Sequence, residues 1–166
     1  RNDLDGAVHA FRQALRVTPE DAEIHHRLGL ALAALGQFDA MQQQMHRAIR
    51  MKPDSSAPLN DLAWILSTHD DANIRQPETA VRLAQQACEL TGGQEATSLD
   101  TLAAAYAASD QFERALVTAR KALDSALEAD NAELADQIRE RLKLYGQNKP
   151  YREVRNAGGR GNTNSH

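Results

Sequence analysis

Six histidines and one cysteine are the residues best able to hold a metal or act as nucleophiles, and their spacing argues against both roles. His25 and His26 are adjacent, so on a helix they point about 100° apart and not toward one ligand. No two histidines stand at i and i+4, the spacing that would put both on one helix face. His69-Asp70-Asp71 places nitrogen and oxygen donors together, but it opens a hydrophilic run, residues 69–77, that reads as a polar connection between helices. No metal is expected. Cys88 shares an apolar face with Leu83, Ala84 and Ala87, which predicts a buried, inert thiol. Gly92-Gly93 reads as a helix stop, since two glycines alone do not cradle a phosphate. With no glycine-rich phosphate loop, serine elbow or spaced carboxylate dyad, the chain is expected to bind and not to catalyse, and to need no cofactor.

Elements able to position such residues must come from a chain of 166 residues, enough for one domain with a continuous core. Hydrophobic residues make up 42% and charged residues 25%, too apolar a mixture for disorder throughout. The formal net charge of −4 lacks the basic excess that neutralises phosphates, so nucleic acid is not an expected partner. No apolar run approaches the ~20 residues that span a bilayer, so no membrane insertion of this segment is expected. A single cysteine excludes an internal disulfide framework and leaves the compartment undetermined. The chain opens on Arg1-Asn2-Asp3-Leu4-Asp5-Gly6 and passes straight into an amphipathic helix, as a segment of a longer protein would.

Internal repetition organises the rest. Shifting the sequence by 34 residues lays Leu4 on Phe38, Asp5 on Asp39, Ala7 on Met41, Phe11 on Met45, Ala14 on Ala48, Leu15 on Ile49 and Pro19 on Pro53. Leu28-Gly29 likewise falls on Leu62-Ala63 and on Leu102-Ala103; the steps are 34 and 40 residues, the excess lying mostly in the 69–77 run. Apolar and small residues thus recur in register while the positions between them vary. Pro19-Glu20-Asp21 and Pro53-Asp54-Ser55-Ser56 end one helix and offer Asp or Ser caps to the next, and Gly36 and Ser109-Asp110 supply turns within hairpins. Asp130 with Glu133 predicts a capping box before a final helix that carries Leu134, Ile138, Leu142 and Tyr145 and stops at Gly146. Residues 156–166 lack apolar periodicity and are expected to be disordered.

These residues resemble the tetratricopeptide repeat, a family whose unit is two antiparallel helices with Leu-Gly and an aromatic in the first, and Ala, Phe, Ala and a closing Pro in and after the second. The best unit here is Leu28, Gly29, Leu32, Phe38, Met41, Met45, Ala48 and Pro53. A second is Leu62, Ala63, Leu66, Ala80, Ala84 and Ala87; a third is Leu102, Ala103, Tyr106, Phe112, Ala115, Ala119 and Ala122; Ala7, Phe11, Ala14 and Pro19 form an opening half-unit. Met41, Met45, Gly92-Gly93 and Leu127 depart from the pattern without breaking the register. The resemblance, closest to the last units of a longer bacterial-type protein, implies an all-α, right-handed superhelical solenoid of antiparallel helix pairs with a C-terminal capping helix. Its expected domain runs over 1–155, with the half-repeat at about 4–19, repeats at about 22–55, 56–93 and 96–129, and the cap at about 130–146.

The family also implies a function, a scaffold that holds a partner peptide or helix on the concave wall formed by the first helices of its repeats. By alignment the lining is Glu23, His26, Arg27 and Leu30, then Asn60, Asp61 and Trp64, then Thr97, Asp100 and Thr101. Trp64, the only tryptophan, lies four residues after Asn60 and so on the same helix face; it either meets the ligand or rolls over the insert near Ile74. The Lys/Asn/Arg set with which chaperone-binding relatives hold a terminal carboxylate is missing. Two other roles fit the resemblance. One is a repeat array that self-associates through the half-unit, where Leu4, Phe11 and Leu15 lack a usual partner helix; the other is the regulatory arm of an enzyme whose catalytic domain lies outside this segment.

Overall fold

The computed structural model describes residues 2–153, and the 156–166 tail lies outside the described residues. Among the described residues there are eight helices: α1 Asn2–Val17, α2 Ala22–Ala34, α3 Phe38–Met51, α4 Ser56–Thr68, α5 Pro77–Leu90, α6 Ala96–Ala108, α7 Phe112–Glu128 and α8 Ala132–Gly146. Consecutive helices pack as antiparallel neighbours, and α4 also packs along α6, so the molecule is an all-α solenoid of stacked hairpins.

The turns follow from residues that tolerate left-handed backbone. Gly36, at φ 77°, closes the α2–α3 hairpin, and Asp110, at φ 58°, does the same between α6 and α7. Asp21 caps α2 by accepting from the Ile24 N–H at 3.0 Å. Two expected caps differ. Ser55 holds the cap position of α4 without a side-chain bond. At α8 the cap is Asn131, whose side chain accepts from the Leu134 N–H at 3.1 Å, while Asp130 takes φ 53° and finishes the turn. The single-residue shift arises because the turn needs a left-handed residue first, and an Asp in that conformation no longer lies at the cap.

Packing follows the repeat register. The second helix of each unit buries equivalent positions: Met41, Met45 and Ala48 in α3, Ala80, Ala84 and Ala87 in α5, Ala115, Ala119 and Ala122 in α7. Where α3 carries the bulky Met45, its partner α2 carries Gly29, and a Cβ built on Gly29 would stand 3.1 Å from Met45 Cγ and Cε. In the later units Ala63 and Ala103 stand where Gly29 does, and Ala84 and Ala119 where Met45 does, so one large side chain opposite a glycine is exchanged for two small ones that face each other. Leu32, Leu59, Leu62, Leu66 and Ile138 are fully buried, each contributing about 1.5–3 kcal/mol of transfer free energy. The half-unit is not bare, because Phe11 and Leu15 of α1 are half-buried against the core.

Candidate functional site

Three successive hairpins put their first helices, α2, α4 and α6, on one side of the stack, and α8 follows them as a fourth. Asn60, Asp61 and Trp64 of α4, Thr97, Asp100 and Thr101 of α6, and Leu134, Gln137 and Arg141 of α8 surround a hollow of about 200 Å³. Six of the ten residues expected from sequence therefore converge, although they came from separate units of the alignment.

The remaining four lie on α2 and do not line that hollow. Glu23 and Arg27 are exposed and paired with each other across one turn at 2.6 Å, and Leu30 is exposed. His26 is buried, and its Nε2 meets Asp61 Oδ2 at 2.8 Å, which ties α2 to α4 and occupies part of the Asp61 carboxylate.

Within the hollow the six residues also divide by exposure. Thr97 is exposed and Asn60, Asp61 and Trp64 are half-buried, whereas Asp100 and Thr101 are buried. Asp100 is not open to a ligand: Arg141 grips it through two bonds, Nε to Oδ1 at 2.9 Å and Nη2 to Oδ2 at 2.6 Å. Burial pushes the Asp100 carboxyl above its ordinary range, and the neighbouring Arg141 offsets that only in part. Asn60 Oδ1 is buried without a hydrogen-bond partner, and so is the hydroxyl of Tyr145, whose pKa burial also raises.

Trp64 borders this hollow and is covered by a part of the chain to which the repeat pattern assigned no role. After α8, Asn148 adopts φ 55° and the segment Tyr151–Glu153 doubles back to the end of α4. The Trp64 and Tyr151 rings lie 5.7 Å apart, and the Arg141 guanidinium is 5.3 Å from each ring. The Trp64 Nε1–H donates to Glu153 Oε2 at 3.2 Å. Trp64, Gln137, Glu140, Arg141, Leu144, Tyr151 and Glu153 enclose a second hollow of about 460 Å³.

Arg141 was legible in part. It stands three residues after Ile138 and four before Tyr145, a charge on the buried face of α8, and a buried charge needs a partner such as Asp100. Tyr151, Arg152 and Glu153 left no periodic signal, because a segment held through its backbone and a few side-chain tips has none.

His69 and Cys88, two residues whose chemistry the sequence raised, are both buried. His69 is buried, packs edge-on against Phe38 with centroids 4.6 Å apart, and accepts from the Asp71 N–H at 3.0 Å. The expected loop is thus pinned by a buried imidazole and is not solvated throughout. Cys88 is buried, and burial, with Glu95 and Glu89 nearby, pushes its thiol up to about 11. Among the described residues no three His, Cys, Asp or Glu side chains are grouped to hold a metal ion. No described helix is long and apolar enough to cross a membrane.

Comparison with known proteins agrees with this arrangement. Residues 1–36 match a TPR repeat family model and residues 22–55 a tetratricopeptide repeat model. The peroxisomal targeting signal receptor of Saccharomyces cerevisiae is 38% identical over 53 residues, 32% of this chain and 9% of that one. Its counterpart from Eremothecium gossypii is 41% identical over 51 residues, again 9% of its length, so the match spans under a tenth of these relatives. Among solved structures, MamA from Desulfovibrio magneticus RS-1 superposes with a TM-score of 0.64 at 16% identity, over 87% of this chain and 86% of that one. A second MamA crystal structure gives 0.62 at 18% identity, over 89% of each chain. At that identity the likeness speaks for the fold, and with tetratricopeptide repeat models matched over residues 1–55 the chain folds as a tetratricopeptide-repeat solenoid.

Proposed function

We propose that this chain is a protein–protein interaction module that takes an extended peptide along the concave wall of α2, α4 and α6, and that it carries no catalytic activity of its own. The observation behind this reading is the hollow around Trp64, where Asn60, Asp61 and Thr97 from successive repeats meet at a surface that the core does not need. An aromatic beside an amide and a carboxylate suits an extended segment: the ring covers an apolar side chain while the polar groups meet backbone or a basic residue. With the wall nearly charge-balanced, shape and hydrogen bonds carry the affinity more than salt-sensitive steering does. The two relatives are named as receptors of a targeting signal, which is a binding role, and they support binding without supporting that ligand.

The test is a peptide library presented to the full chain and to Thr97→Arg, a substitution at an exposed position that places a long cation in the hollow. Peptides that bind the parent and lose roughly ten-fold or more in affinity to Thr97→Arg, with melting temperature unchanged, are the expected result. A library that yields no binder, or binders indifferent to Thr97→Arg, sinks the assignment of this wall.

A further inference from the structure

The segment that covers Trp64 has the geometry of a ligand. It runs from the end of α8 to the end of α4, across the first helices. At α4 it meets the carbonyls that a helix C-terminus leaves without intrahelical partners. The Glu153 N–H donates to the Thr68 carbonyl at 2.8 Å, and Glu153 pairs with His69 in an isolated parallel bridge. Arg152 Nη1 donates to the Ser67 carbonyl at 3.1 Å, a cation at the negative end of the helix dipole. Tyr151 lies with its ring tilted by 39° against Trp64 and beside Arg141, and the Glu153 carboxylate accepts from the Trp64 indole. Three consecutive residues thus meet three different complements: a ring and a guanidinium for the aromatic, a helix carbonyl for the base, an indole N–H for the acid.

The hold is specific but shallow. Tyr151 and Arg152 are half-buried, Glu153 is exposed, and Arg152 sits near Arg75, whose guanidinium is already committed to the His69 and Asp70 carbonyls at 2.7 Å. Beside the segment a hollow of about 460 Å³ stays open, bordered by Leu144, Glu140, Trp64 and Tyr151.

Resting on the reading of the concave wall as a binding face, we infer that Trp64, Arg141 and the end of α4 form a recognition subsite for an extended segment with the order aromatic, basic, acidic. Tyr151-Arg152-Glu153 occupies it in the resting chain, and a partner protein bearing such a tripeptide binds by displacing it. A tethered competitor of this kind acts at an effective concentration on the order of millimolar, so it sets a threshold that only a better-fitting segment passes.

Trp64 is the only tryptophan, and its emission reports the subsite directly. The probe is the peptide Lys-Pro-Tyr-Arg-Glu, blocked at both ends and titrated into the full chain and into a full chain with Tyr151→Ser, Arg152→Ser and Glu153→Ser. The substituted chain is expected to show red-shifted Trp64 emission and to bind the peptide at least roughly ten-fold more tightly than the parent. A scrambled peptide should not bind, and adding Trp64→Ala should remove the affinity gained. No binding to the substituted chain, or equal binding of the scrambled peptide, overturns the inference. If library binders sensitive to Thr97→Arg persist in that case, the wall itself survives as a binding face. A substituted chain that melts without cooperativity, together with a Glu153→Ala chain that gains no affinity, assigns the segment to the fold and overturns the inference as well. Concentration-dependent dimerisation that the triple substitution abolishes identifies a second copy, not a different protein, as the donor, and overturns the choice of partner.

Discussion

At the scale of single residues, the Asp100–Arg141 pair shows how a charge can sit in an otherwise apolar stack. Both side chains are buried and their two hydrogen bonds align fork to carboxylate, so each ion offsets part of the other's desolvation. Arg141→Met leaves the Asp100 carboxylate buried without its partner and should cost about 3–5 kcal/mol, whereas Arg141→Met with Asp100→Leu should recover most of it. Denaturant unfolding of the two variants decides; equal losses would mean the pair is not coupled. Because burial raises the Asp100 pKa above 3.8, the folded chain keeps that proton at pH values where the unfolded chain has released it. The contribution of Asp100 to stability therefore improves as pH falls, and parent stability relative to Asp100→Asn should rise as pH is lowered toward 3.8. Cys88 obeys the same logic from the other side. Its thiol, at about 11 against 9.0, should resist alkylation near neutrality until the chain is unfolded, and the stability it contributes is lost as pH climbs above 9.0. Rapid native-state alkylation would contradict its burial.

Among the elements, the α2–α3 contact tests how far volume exchange explains the departures from the repeat pattern. Gly29→Ala places a methyl 3.1 Å from Met45 atoms, all on a flexible side chain, and replaces a helical glycine. The gain in helix propensity, about 1 kcal/mol, and the crowding oppose each other, so thermal melting should shift little. Gly29→Ala with Met45→Ala, which reproduces Ala63 and Ala84 of the next unit, should instead lose about 2 kcal/mol or more, because a cavity replaces the methionine. A strongly destabilised Gly29→Ala chain would show that Met45 has no room to move. The helix starts and stops around this contact were readable from Pro19, Asp21, Gly36 and Pro53, since capping and turn formation are local chemistry. The cap of α8 was not, because whether Asp130 or Asn131 occupies it depends on which residue the turn drives to positive φ. Truncation after residue 129 should lower the melting temperature and expose apolar surface, as α8 buries Ala135, Ile138 and Tyr145 against the stack. An unchanged melt would deny α8 its covering role.

Over the whole molecule, stability is unevenly spread. Helix α6 buries ten of its thirteen residues, while in α1 Val8 alone of the described side chains is buried. A stack whose members touch only neighbours opens from the end with the fewest partners. Amide exchange should therefore be slowest in α6 and fastest in α1, with α8 nearer to α6 than to α1; uniform protection would indicate a single all-or-none unit.

The sequence by itself determined the repeat, the all-α solenoid and the positions of most hairpin turns, because a period of 34 residues with small residues in register is written at every unit. Helix spacing put Asn60 and Trp64 on one face, and the family resemblance, not the spacing, set Asp61 and Thr97 beside them. What only the tertiary structure decided is which of those side chains remain open. Asp100 and Thr101 left the exposed wall when Arg141 arrived from forty-one residues away, and Trp64 met Tyr151 and Glu153 in place of the insert near Ile74. Partners so distant along the chain, and one of them a segment without periodicity, are set by how the last helix docks, and docking is decided by the summed packing of all the hairpins before it.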